Sequence, residues 1–241
     1  MIRTALDYVA QGFSFVMGQA FNRDIKRYIQ LHDLYETYRM ALIFALYNVA
    51  LIFIIPFMKR YTSGITDINY LDYKVAVLFT VFYLMTGARA CAADLINYAQ
   101  HFKKTQSRCV AEAVINLTVS VIAVNLWGIY GVLIGTIVAL LYRMNDMLIY
   151  ANRKILKRSA WPSYKRLLIN SVMFIVITIT SGWMPWQLNT YFSIIGWACV
   201  AGIIVCGIYF VIASIVDYPS FRLLQEYVRP IVNKISRKVD K

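Results

Sequence analysis

The sequence predicts an all-α, polytopic membrane protein, and three observations carry that expectation. Of its 241 residues, 60% are hydrophobic and only 15% are charged, with a mean hydropathy of +0.57. A soluble domain of this length fills its core with far less apolar content, so the surplus faces something other than water. The apolar residues also fall in near-continuous runs of about 20, the length at which a helix crosses a hydrocarbon core about 30 Å thick. Those runs lack the period-two alternation that a membrane β-barrel requires.

Taken in order, seven helical spans are expected near residues 4–22, 39–58, 74–99, 107–127, 129–150, 164–183 and 191–216. The first is the weakest, interrupted by Asp7, Gln11, Ser14 and Gln19. It reads either as a seventh span or as an interfacial segment that leaves six. A chain opening on so weak a span is expected to be the later part of a longer one. Three units follow: residues 1–158 as a lobe of transmembrane helices, 159–216 as two peripheral helices, and 217–241 as a basic amphipathic tail. Asp217, Pro219 and Ser220 mark the start of that tail. Beyond them Phe221, Leu224, Val228, Ile231, Ile235 and Val239 recur at helical spacing, with Arg222, Arg229, Lys234, Arg237 and Lys238 on the other faces. Such a helix suits an anionic leaflet, with a kink expected at Pro230.

The loops set orientation. One set holds Arg23, Lys26, Arg27 and Arg39, then Lys103, Lys104 and Arg108, then Arg153, Lys154, Lys157, Arg158, Lys165 and Arg166, with six more in the tail. The opposite set holds only Arg3, Lys59, Arg60 and Lys74. The richer set is expected to be cytoplasmic, because cations are retained on that side. The same clustering explains the net charge of +13 without a nucleic-acid partner. Cys91, Cys109, Cys199 and Cys206 form no CxxC pair, and with His32 and His101 as the sole histidines a zinc ligand set is not expected. No cleavable leader is visible. GxxxxGK[ST], HExxH and GxSxG are all missing, so no enzyme, cofactor or metal chemistry is expected.

Charges inside spans are the candidate functional residues, since one at mid-membrane costs about 2.5–3.5 kcal/mol on insertion scales. Arg89 is the deepest. Thr86, Arg89, Ala93, Asn97 and Gln100 share one broad helical face, with Asp94 off it. Glu112, Asn116 and Ser120 repeat at i+4 on the next span, and Thr136, Arg143, Asp146 and Tyr150 share a face on the one after. These stripes point to a hydrophilic cavity. The alternative is that Arg89, Glu112, Arg143 and Asp146 pair with one another to hold the bundle, or that Arg143 and Glu112 snorkel outward. Gly131 and Gly135 allow close helix packing.

The segments Tyr61-Thr-Ser-Gly-Ile-Thr-Asp67-Ile-Asn-Tyr70, His101-Phe-Lys-Lys-Thr-Gln106, Glu112-Ala-Val-Ile-Asn116, Gly128-Ile-Tyr-Gly-Val-Leu-Ile-Gly-Thr136, Leu141-Tyr-Arg-Met-Asn-Asp146 and Tyr150-Ala-Asn-Arg-Lys-Ile-Leu-Lys-Arg158 occur in that order. Together they resemble bacterial polysaccharide-unit flippases of the multidrug/oligosaccharidyl-lipid/polysaccharide exporter superfamily, over about residues 5–215. Ala90 and Gln100 depart from the family's usual Pro and Gly. The resemblance implies two lobes around a cationic cavity, with this chain as the C-terminal half and an N-terminal lobe as partner. It implies export of an undecaprenyl-diphosphate-linked oligosaccharide across the bacterial plasma (inner) membrane, for O-antigen or other surface polysaccharide biosynthesis. Arg89 then contacts the diphosphate, with Arg143 second. Lys103 and Lys104 attract the headgroup at the cytoplasmic entrance, and Glu112, Asn116, Asp146 and Asn97 face sugar or a coupling ion. A cation-coupled drug exporter of the same superfamily and a membrane-embedded glycan polymerase or transferase are the alternatives. Reporter fusions at Ile65, Gly128 and Gln187 are expected to read external, and fusions at Gln30, Lys104 and Ala160 cytoplasmic. The reverse pattern overturns the orientation.

Overall fold

The computed structural model describes residues 2–65, 70–183, 188 and 190–239, with side chains given for Thr4, Tyr8 and the described residues between 12 and 229. Residues 66–69 of the Tyr61–Tyr70 segment, the reporter position Gln187 and the side chains of Asp7, Gln11, Pro230, Ile231, Lys234, Ile235, Arg237, Lys238 and Val239 lie outside that description. The helices are α1 (Ile2–Arg23), α2 (Ile25–Tyr61), α3 (Tyr73–Ala88), α4 (Ala90–Tyr98), α5 (Phe102–Trp127), α6 (Ile129–Tyr150), a π-helical turn (Ala151–Ile155), α7 (Trp161–Ser181), α8 (Tyr191–Val216) and α9 (Tyr218–Val239). The described residues form no strand. Six segments are long and apolar enough to cross a membrane: α2, α3 with α4, α5, α6 with its π turn, α7, and α8. The chain is a multi-pass α-helical membrane protein. The first expected span, 4–22, is not among the six. Its helix forms, but Gln11, Ser14, Gln19 and Asn22 dilute its apolar content.

α2 differs most from expectation. A span over 39–58 was expected after a basic loop, yet one helix of 37 residues runs through both. At about 1.5 Å per residue it is roughly 55 Å long, well beyond a hydrocarbon core of about 30 Å. It starts at Asp24, whose carboxylate accepts from the backbone N–H of Lys26 (2.9 Å) and Arg27 (3.3 Å). That satisfies two of the donors a helix start leaves unpaired. Tyr28, His32, Glu36, Met40 and Phe44, four apart, are all buried. The polar His32 and Glu36 on this face hide its inward direction from a hydropathy reading.

α2 forms the centre of the bundle. Its Met40 and Phe44 join Leu84 (α3), Leu95 (α4), Met144 and Leu148 (α6), Met173 (α7), and Val205 and Tyr209 (α8) in one apolar core. The pair expected to be peripheral, α7 and α8, therefore shares the core of the rest. Mid-helix, the wholly buried Asn48 donates to the Phe174 carbonyl (3.1 Å) and reaches the Tyr209 hydroxyl at 3.5 Å. α9 folds back on α2 and α8: Arg27 Nη2 donates to the Tyr227 hydroxyl (3.0 Å), and the Phe221 ring meets Phe210 edge-on. Its helix continues past Pro230 to Val239.

α5 and α6 form a hairpin turned at Gly128, where φ is +55°. Their backbones touch. A Cβ on Gly131 would stand 2.1 Å from the Ala123 carbonyl oxygen, and one on Gly135 would stand 2.2 Å from Ser120 Oγ and 2.6 Å from its backbone nitrogen. The opposite face of α5, with Val114, Leu117 and Val121, is exposed. The helix breaks near Ala90 and at Gln100, although neither position has the residue that would favour a break. α3 ends at Ala88 and α4 begins at Ala90 without a proline, and Gln100 takes the left-handed conformation (φ +55°) without being a glycine. Gly135→Leu places a side chain inside the α5 backbone. It is expected to lower stability by at least about 1–3 kcal/mol, read as a lower melting temperature in detergent. An unchanged melt would show that the two helices are not in contact.

Candidate functional site

The break at Arg89 aims its guanidinium inward between α2, α5 and α6. Arg89 Nη1 donates to Glu112 Oε1 at 2.8 Å, and the other oxygen of Glu112 lies 3.4 Å from Arg143 Nε. Arg143, 2% exposed, donates to Asp146 Oδ2 (2.8 Å) and to Cys109 Sγ (3.0 Å). Asp146 also accepts from Arg108, whose guanidinium lies over the Tyr150 ring at 4.7 Å. Arg89, Glu112, Arg143, Asp146 and Arg108 thus form one chain of ion pairs from mid-bundle to the basic end. Arg143 does not snorkel, because its carboxylate partners are inside.

Two cavities flank this chain. One of about 270 Å³ is lined by Arg39, Tyr47, Tyr83, Thr86, Arg89 and Asp94. Arg39 donates to Asp94 (2.9 Å), and the Tyr47 and Tyr83 rings stack at 5.2 Å. The sequence pattern set Asp94 off the face of Arg89, but both border the same space. The turn at Arg89 (φ −82°, ψ −10°) departs from helical dihedrals and interrupts the register that separated them. The other cavity, about 400 Å³, is lined by Asn97, Phe102, Lys103, Gln106, Cys109 and Arg143, and shares Ala93 and Met147 with the first. Asn116 lies elsewhere. Its side-chain oxygen accepts from Ser120 (3.0 Å) and Thr136 (3.4 Å) within the α5–α6 interface. Lys104 is exposed and sits 3.0 Å from His101 Nε2, while His101 Nδ1 meets the Tyr150 hydroxyl at 3.1 Å. Burial and the Lys104 ammonium hold the His101 imidazole below its ordinary range. A neutral ring accepting at Nε2 and donating from Nδ1 satisfies both contacts.

A second cluster, which the sequence reading missed, sits at the basic end. Arg158 donates to both oxygens of Asp33, at 2.6 and 2.8 Å. Arg166 donates to Asp33 (2.8 Å), to Glu36, and to Asp217 through Nη2 (2.6 Å) and Nε (3.0 Å). Ser163 donates to Glu36 (2.9 Å), Thr37 to Asp217 (2.8 Å), and the buried Asn152 accepts from Arg158 (2.9 Å). This cluster joins α2, the segment after the π turn, α7 and the end of α8. Arg158 and Arg166 were read only as orientation cations. The one available signal was the pair of acidic residues, Asp33 and Glu36, amid the basic segment. The ligand atoms of His32, Asp33 and Glu36 lie within 4.8 Å of one another. Asp33 has both oxygens on guanidinium groups and Glu36 has one, so the donor set is arranged for arginine and not for a metal ion.

No family model, curated protein or solved structure matches this chain. The geometry itself defines a multi-pass helical membrane protein with two internal ion-pair networks and a cation-lined cavity pair.

Arg166 and Arg89 differ in burial and in partners, which sets an order of sensitivity. Arg166 is 7% exposed, Arg89 22%. Removing Arg166 leaves three carboxylates short of a partner, and Arg166→Ala is expected to cost about 3–5 kcal/mol. Arg166→Lys does not restore it, because an ammonium cannot span the forked contacts. Arg89→Ala leaves Glu112 its contact with Arg143 and is expected to cost less. Thermal unfolding in detergent checks the order, and equal losses would overturn it.

Proposed function

We propose that this chain is one lobe of a transporter for an undecaprenyl-diphosphate-linked oligosaccharide, moved from the cytoplasmic to the outer leaflet of a bacterial plasma membrane. A facing lobe completes the cavity, and the basic end, with the C-terminal tail, lies in the cytoplasm. The motifs in the sequence support this reading, and one structural observation carries it. Arg39, Arg89, Arg108 and Arg143 pair with Asp94, Glu112 and Asp146 around the two cavities, with Lys103 at the mouth. Several guanidinium groups are thus gathered beside open space, in a place where charge is costly.

In this mechanism Arg89 binds the diphosphate. Its contact to Glu112 uses one N–H of a group that carries five, so further donors suit phosphate oxygens at the cavity wall. Lys103 draws the headgroup in, and Asn97 and the stacked tyrosines Tyr47 and Tyr83 meet sugar. Glu112 and Asp146 hold Arg89 and Arg143 in place, while Asn116 acts through helix packing. A cation-coupled drug exporter draws less support, because Asp94, Glu112 and Asp146 each hold a guanidinium.

The test is glycan export in cells whose sole copy of the transporter carries Arg89→Ala. A hydrogen bond to a charged group is worth about 1.5–3 kcal/mol, so export is expected to fall about tenfold or more, with membrane insertion unchanged. Normal export removes Arg89 from the role. Drug extrusion that depends on Asp94, Glu112 or Asp146 transfers the function to the alternative. Sugar joining on a lipid carrier by the purified chain transfers it to a polymerase or transferase.

A further inference from the structure

A groove of about 880 Å³ runs between α1, α2, α8 and α9, with Arg39 bordering both it and the smaller cavity described above. Its walls are apolar, with Phe13 and Met17 from α1, Leu34 and Ala45 from α2, and Gly207 and Phe210 from α8. At the basic end it meets a second pocket of about 500 Å³, and Leu31 and Tyr227 line both. This pocket is polar, and its charged residues are Asp24, Lys26, Arg27 and Glu226, two of each sign. The Arg27–Tyr227 hydrogen bond lies at the seam.

We infer that the pair forms a binding site for one zwitterionic phospholipid, with acyl chains in the groove and a phosphodiester-ammonium headgroup in the charged pocket. The size of the groove falls in the range of built ligand sites, about 300–1,000 Å³. Charge selects the occupant. Lys26 and Arg27 stand at the start of α2, where the helix dipole also favours an anion, and they take the phosphodiester. The backbone N–H groups of these two residues are already capped by Asp24, so the contact is through side chains. Arg27 spends Nη2 on Tyr227 and, as a guanidinium, carries further donors. Glu226 takes the ammonium. Its contact with Arg222 is 4.0 Å long between side chains 75% and 65% exposed, a pair worth little in water. An anionic headgroup without an ammonium would leave Glu226 unmatched.

Cys206 lines the groove and reports its occupancy. In the purified full chain in detergent, Cys109→Ser and Cys199→Ser remove the two exposed thiols, while Cys91 is buried. Phosphatidylethanolamine is then titrated against a small maleimide. At about ten times its Kd it is expected to slow Cys206 modification about tenfold, the factor 1 + [L]/Kd. Phosphatidylglycerol at the same concentration is expected to change the rate less than about twofold by the same relation. Glu226→Gln and Arg27→Ala, both on exposed side chains, are expected to abolish the protection while leaving the melting temperature in place. Equal protection by both lipids, or protection that survives both variants, overturns the headgroup assignment. No protection by either lipid overturns the site. Protection that rises with protein concentration alone assigns the groove to a second copy. None of these outcomes bears on glycan transport, so this inference and the proposed function fail separately.

Discussion

One guanidinium, that of Arg166, meets three carboxylates drawn from two parts of the chain, and the arrangement of the last helices depends on it. Hydrophobic burial alone gives weak directions to helices in a membrane, because lipid is as apolar as any side chain. Buried ions are directional: a carboxylate left alone in this setting is so costly that only a narrow range of helix positions is tolerated. Asp33 and Glu36 fix the face and height of α2 against α7, and Asp217 fixes the point at which α8 stops and α9 turns back. The apolar core around Met40, Phe44 and Tyr209 then fills the space these contacts define.

The second network works under the same constraint in a different setting. At the basic-end cluster Arg158 and Arg166 serve Asp33, Glu36 and Asp217, whereas around Arg89 the guanidinium groups are spread along α2 and α4–α6. One network lies at the junction of α2 with α7 and the other beside open cavities. The first suits assembly. The second retains contact with space that a ligand can enter.

Most of the membrane architecture was legible from composition because a run of about 20 apolar residues has few other uses. Five of the expected spans reappear with small shifts, as does the close α5–α6 contact at Gly131 and Gly135. The same reading failed at α2, where a membrane span and a polar helix merge. His32 and Glu36 both face inward, Glu36 onto Arg166, and hydropathy scores such residues as solvent-facing whatever they touch. Glu112, Arg143 and Asp146 were legible as charges out of place, and their mutual pairing stood among the alternatives. The link to Arg108 was not, since it joins α5 to α6 through a residue counted with the loop cations. Asp94 was misplaced by assuming an unbroken helix through Arg89.

The length of α2 has a mechanical consequence. Asp33 and Glu36, held by Arg158 and Arg166, and Arg39 and Tyr47, part of a cavity wall, all stand on this one helix, within about 21 Å of one another. Any displacement of α7 or of the π-turn segment is therefore passed along α2 to that wall, with no loop between them to absorb it.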